Sequence, residues 1–187
     1  MADFLKAFIK TGGHEGGYAD DPIDRGGETY RGISRRYHPG WSGWEIVDTY
    51  KDDLHFPDIL DMDDDLVFRV EQFFQERFWD VNKLGYLDSQ ALAEELYDTG
   101  VNLGAGRAAD FLQLALNLTN RRGRDYPDLV RDGIIGTVTI RVANNHENIR
   151  NVIKSVNILQ GAHYIEQCKI LPSQERYFNG WLERVAL

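Results

Sequence analysis

The sequence predicts a mainly α-helical protein with a small β-hairpin or loop insert after its first helix. Three observations predict it. Apolar residues recur at helical spacing over most of the 187 residues. Strand signals are few and short. One run, HEGGYADDPIDRGGETYRGI from His14 to Ile33, carries five glycines and is unsuited to an ordinary helix.

The first helix is expected over about Ala2–Gly13, with Phe4, Leu5, Phe8 and Ile9 on one face and Gly12-Gly13 as its stop. Residues 20–33 read as loop and tight turns, with a short hairpin around Gly26-Gly27. The stretch YHPGWSGWEIVDTYK begins as loop and turns helical near Trp44. DDDLVFRVEQFFQERFWD reads as one helix: acids at its start suit the positive end of the dipole, and Leu66, Val67, Val70, Phe73, Phe74 and Phe78 form an apolar stripe. Asn82–Leu87 makes a turn. Ser89 caps a helix over Gln90 to about Leu103. Gly104 and Gly106 punctuate, and Arg107–Asn120 follows with Phe111, Leu112, Leu114, Ala115 and Leu118 inward. Later helices are expected over about Thr137–Asn144, Asn148–Leu171 and Gln174–Val185, with Pro172 ending the long one.

Charge narrows the function. The net charge is −9, and it is uneven: residues 1–95 hold 10 basic and 21 acidic side chains (−11), residues 96–187 hold 11 and 9 (+2). An acidic first half disfavours a nucleic-acid surface, and a solvated loop accounts for the local cluster Arg121, Arg122, Arg124. A neutral or locally zwitterionic polymer tolerates such a face. No run reaches the ~18 apolar residues of a membrane span, so no stable membrane insertion is expected. The start, MADFLKAFIKTGG, reads as an amphipathic helix rather than a secretory signal. The one cysteine, Cys168, cannot close an internal disulfide and reads as a small buried hydrophobe.

Several motifs fail. His14-Glu15 opens a zinc signature, but position 18 is Tyr18 where the second histidine belongs. Asp61, Asp63 and Asp65 imitate a calcium loop, yet Leu66 stands for its glycine and Gln72 for its glutamate. No G-x-S-x-G elbow is present, and no Gly-Lys-Ser/Thr follows GGHEGG. Neither a metal nor a cofactor is expected.

The constellation that survives is Glu15, Asp24 and Thr29. Glycosidic cleavage needs an acid to protonate the leaving oxygen and a second carboxylate that stays ionised. Glu15, at a helix end beside Phe8 and Tyr18, suits the first role if burial raises its pKa. Asp24, in a polar turn with Arg25, suits the second, and the Thr29 hydroxyl can fix the attacking water. Gly16-Gly17 and Gly26-Gly27 let a polymer approach the backbone, while Tyr18 and Tyr30 offer flat faces for sugar rings. On spacing alone, a solvated acidic loop remains the competing account.

At these residues the chain resembles glycoside hydrolase family 108. The match reads Glu15-Gly16-Gly17-Tyr18, Asp21-Pro22, Asp24, Gly26-Gly27, Thr29 and Gly32-Ile33. It continues in Phe78-Trp79-Asp80, in Asp98-Thr99-Gly100-Val101-Asn102-Leu103-Gly104, and in Asp132-Gly133-Ile134-Ile135-Gly136. The resemblance implies a lysozyme-like helical fold and an N-acetylmuramidase, of the phage and bacterial type that includes endolysins and secretion activator proteins. Such an enzyme cleaves the β-1,4 bond between N-acetylmuramic acid and N-acetylglucosamine. It implies Glu15 as catalytic acid; the glutamate–aspartate–threonine order of related phage lysozymes supports Asp24 and Thr29. Residues 1–88 then form the catalytic region and 89–187 a peptidoglycan-binding region packed with it as one compact unit. Peptidoglycan is the expected partner. Synthesis in the cytoplasm without a signal would leave a holin or a secretion system to deliver the protein to the wall or periplasm. Asp98 and Asn102, one helical turn apart, either face the substrate groove or hold helices together as a buried polar pair. A lytic transglycosylase and a non-catalytic wall-binding or secretion-assisting protein are the alternatives.

Overall fold

The computed structural model describes residues 1–12, 16–20 and 26–185. It is mainly α, with eight α-helices and one small antiparallel sheet among those residues. The chain divides into two compact units, Phe8–Arg77 and Met1–Ala7 with Phe78–Leu187.

Helix α1 runs over Phe4–Lys10, shorter than expected at both ends. Asp3 accepts the Leu5 N–H at 2.9 Å and starts it, and Gly12, at φ 80°, stops it with its N–H on Ile9 O. Its buried face is Phe4, Ala7 and Phe8, while Leu5 and Ile9 are exposed, so the apolar stripe is narrower than the sequence suggests.

In the smaller unit, strands β1 (Tyr18–Ala19), β2 (Thr29–Tyr30) and β3 (Ile33–Ser34) pair in that order. Tyr18 faces Tyr30, Ala19 faces Thr29, and Thr29 faces Ser34. β1 and β2 bracket the run containing Gly26-Gly27, but the two-residue turn of the sheet lies elsewhere, at Arg31-Gly32. Both residues have positive φ, 44° and 79°, the geometry whose twist suits a tight hairpin. Arg31 is held there by its backbone N–H on Gly17 O and its guanidinium on Asp61. Helix α2 (Gly43–Tyr50) buries Trp44 and Val47. A 3₁₀ turn over Asp58–Met62 buries Leu60. Helix α3 (Asp64–Phe74) is capped by Asp63, which accepts the Leu66 N–H. The expected single helix to residue 80 instead changes pitch: Gln75–Asp80 is a π-helical segment. An apolar stripe reports a face, not a hydrogen-bond pitch, so the sequence does not show the change.

In the larger unit, helices α4 (Gln90–Leu103), α5 (Ala105–Thr119) and α7 (Ile149–Ile170) pack against one another, with α6 (Thr137–Asn144) on α5 and α8 (Glu175–Leu182) on α7. Ser89 caps α4 through the Leu92 N–H, and Asn148 caps α7 through the Asn151 N–H. Leu96, Tyr97, Leu112, Val152 and Val156 are among the fully or almost fully buried side chains. Trp79 is buried edge-on to Phe4 and Tyr97. Cys168 is buried on α7. Two expectations for α5 need correction. Gly106 lies in the first turn of the helix rather than before it; the Gly133 backbone crosses there, and a Cβ on Gly133 would sit 3.1 Å from Gly106 O. Leu118 is exposed, and Gln113 takes an inward position instead.

Candidate active site

Glu15 and Asp24 lie outside the described residues. The structure does show what surrounds them in the chain. Tyr18 and Thr29 stand on neighbouring strands, so the segment that begins at Gly16 and the one that resumes at Gly26 are tied by the β1–β2 ladder. Two hydroxyls hold the resuming segment: Thr29 Oγ1 donates to Gly27 O at 3.0 Å, and Ser34 Oγ donates to Gly26 O.

Tyr18 is half-buried, with its ring edge-on to Phe56 at 4.7 Å and its hydroxyl donating to Glu28 Oε1 at 2.9 Å. Burial and then the Glu28 carboxylate push its pKa up to about 12, so it stays a donor at every physiological pH. Glu28 anchors a charge network. It faces Lys51 Nζ at 2.8 Å and Arg35 Nε at 2.8 Å, the latter off the hydrogen-bond direction. Arg35 and Lys51 both also reach Asp48, and the Arg35 guanidinium lies over the Trp44 ring. Two acids and two bases therefore brace the sheet against α2.

Tyr30 departs from its expected role as a platform. Its ring is fully buried, and its hydroxyl donates to Asp61 Oδ1 at 3.0 Å, so it fixes β2 to the 3₁₀ turn instead of presenting a face. The inward register of β2 decides this, since neighbours on a strand point to opposite faces.

Asp98 and Asn102 lie on α4 in the larger unit. The Asp98 carboxylate accepts from Gln160 Nε2 at 3.2 Å and from Arg184 at 3.0 Å, while Asn102 Nδ2 donates to the Asp98 carbonyl. Gln160 also donates to the Tyr164 hydroxyl. Asp98 thus ties α4 to α7 and to the segment after α8.

The calcium-like acids have separate duties: Asp61 holds Tyr30 and Arg31, Asp63 caps α3, and Asp65 pairs with Arg69. Among the described residues no group of three or more His, Cys, Asp or Glu is placed to hold a metal ion. No helix among them is long and apolar enough to cross a membrane.

Sequence reasoning missed Glu28, Ser34, Arg35, Asp48 and Lys51. Only Asp48 and Lys51, three apart on a helix, left a signal. It also missed two concavities. One, about 470 Å³ in the smaller unit, is lined by Tyr37, His38, Trp41, Phe73, Glu76 and Arg77. The other, about 1440 Å³, lies in the larger unit beside the last turn of α5, the loop after it, α6 and the start of α7.

Comparison with known proteins adds three findings. The family model described as glycosyl hydrolase 108 matches residues 8–104. A second, described as a predicted peptidoglycan domain, matches residues 107–186. The solved structure of Brucella abortus SagA is similar at 22% identity and a TM-score of 0.65, over 97% of this chain and 88% of that one, a likeness that concerns the fold. No curated protein matches.

Proposed function

The chain belongs to the glycosyl hydrolase 108 family, and from that premise we propose that it is a peptidoglycan hydrolase of the N-acetylmuramidase kind, acting at the cell wall. The family match over residues 8–104, which contains Glu15, Asp24 and Thr29 together, carries this reading. A peptidoglycan domain over the rest of the chain fits the same substrate.

In the proposed mechanism Glu15 is the general acid and hands its proton to the glycosidic oxygen, while Asp24 stays ionised to activate water or support the positive ring. Thr29 positions the water. Its hydroxyl proton is committed to Gly27 O, which leaves the oxygen's lone pairs to accept a hydrogen from that water. Tyr18 borders the site with a permanently protonated hydroxyl. Ser34 and the Glu28 network keep the strand carrying Thr29 in register. Hydrolysis needs an activated water and transglycosylation does not, so Asp24 and Thr29 favour hydrolysis.

The test is digestion of purified peptidoglycan by wild type and Glu15→Gln, with products read by mass. Wild type is expected to release fragments with free reducing ends, and the variant none. Full clearing by Glu15→Gln would remove Glu15 from its role. Fragments ending in 1,6-anhydro sugars would replace hydrolysis by transglycosylation.

A further inference from the structure

The groove of about 1440 Å³ in the larger unit is not used by the mechanism above. It is larger than the ~300–1,000 Å³ of an ordinary small-molecule pocket, so it suits an extended ligand. Its walls hold large apolar side chains that face solvent: Leu118 is 68% exposed, Ile134 63% and Val138 50%. Burying such a patch is favourable for a ligand with apolar groups.

The charges on the walls are unequally committed. Asp125 and Glu147 pair with Arg121, Asp128 accepts from Asn120, and Asp132 accepts from Gln113 and from the Ile134 N–H. Arg124 and Arg141 also line the groove, both are exposed, and neither guanidinium makes a hydrogen bond or ion pair among the described residues. Two guanidinium groups with their hydrogen-bond donors open, Arg124 acting on Asp125 only through space, suit carboxylates carried on a partly apolar chain when they stand beside an apolar floor. The four acids argue against a polyphosphate, which would meet them all along its length.

We propose that this groove binds the peptide stems of peptidoglycan, with Arg124 and Arg141 taking stem carboxylates and Leu118, Ile134 and Val138 taking the stem's methyl and methylene groups. The choice of wall polymer rests on the function proposed above. The assignment within that polymer rests on the groove, since the glycan strand is largely uncharged and the carboxylates belong to the stems.

The experiment uses stem peptides released from peptidoglycan by an amidase and titrated into the full-length wild-type chain by calorimetry. These peptides contain no glycosidic bond, so the result stands apart from whether Glu15 cleaves anything. Saturable binding is expected, with about a tenfold loss of affinity in the Arg124→Ala/Arg141→Ala double variant and partial recovery in the double lysine variant. Oligomers of N-acetylglucosamine, a β-1,4 glycan without carboxylates, are expected not to compete. Absence of binding, equal affinity in the double alanine variant at unchanged thermal stability, or competition by those oligomers would each overturn the proposal.

Discussion

The two units solve one problem with opposite chemistry. Each must hold an irregular segment against a helix. The larger unit uses a neutral buried amide: Gln113, almost fully buried on α5, donates to Asp132 Oδ1 and Ile134 O and accepts from the Gly133 N–H. The smaller unit uses charge, the Glu28–Arg35–Asp48–Lys51 network, which is only partly buried. The comparison teaches where cooperativity lies. One amide that satisfies three partners fails all at once, whereas a network of two acids and two bases loses one contact and keeps the others.

The largest effect is therefore expected from Gln113→Leu. It removes three hydrogen bonds and leaves the Gly133 N–H and Ile134 O without their partners, for a loss of about 3 kcal/mol in chemical denaturation. A loss below about 1 kcal/mol would show that the turn holds itself. Glu28→Gln comes next. Lys51 and Arg35 keep Asp48, so about 1–2 kcal/mol is expected, together with faster amide exchange in β1 and β2. Should Glu28→Gln cost more than Gln113→Leu, the contrast between the units is reversed. Gly32→Ala follows at about 1 kcal/mol, because its φ of 79° is unfavourable for any side chain. The new Cβ meets only the Phe74 ring edge at 3.8 Å, an ordinary contact, so backbone strain alone is tested.

How much of this the sequence shows differs between the units for the same physical reason. Helices announce themselves locally. Ser89 before a periodic run gives the start of α4, and the Thr137–Asn144 helix matches its expected bounds. The sheet does not, because its strands are two residues long and its turn carries Arg31, a side chain no turn rule favours at positive φ. Tyr30 shows the cost: its residue type suggests a platform, and only the strand register reveals that it points inward. The inward place of Gln113 is hidden likewise, since its reason is the Gly133 N–H, which meets α5 from far along the sequence. Around the candidate site, the motif singles out Thr29 and Tyr18. Glu28, Ser34 and Arg35 are not, because they act through folded contacts that no spacing encodes.

The smallest predicted effect separates the surroundings of His146 from the Glu28 network by pH. His146, in the larger unit, is bonded as a neutral ring. Its Nδ1 accepts the Asn148 N–H at 3.1 Å, and its Nε2 lies 2.9 Å from Thr119 Oγ1, whose own proton goes to Ala115 O. Both contacts fit the tautomer protonated at Nε2, and a proton on Nδ1 would set N–H against N–H. Burial lowers its pKa below the usual 6.5, though Asp125 and Glu147 oppose this and Arg121 assists. The unfolded chain therefore takes up its proton first as pH falls. The stabilising difference is whole above the ordinary value and is lost as pH drops through the folded one. Asp48, in the other unit, is lowered chiefly by the hydrogen bond from Arg35. Its contribution is whole above the ordinary carboxylate value of 3.8 and vanishes only below it. On acidification, exchange protection at the start of α7 and the end of α5 is expected to fall first, beginning near pH 6.5. Protection in β1 and β2 is expected to hold until about pH 4. In His146→Gln the early phase at the start of α7 and the end of α5 disappears and the late one in β1 and β2 remains, while His38 beside Phe73 and His163 further along α7, both also lowered by burial, keep their own. An early phase of unchanged size in that variant would assign it to another group, and simultaneous loss in both regions would mean that the two chemistries do not fail separately.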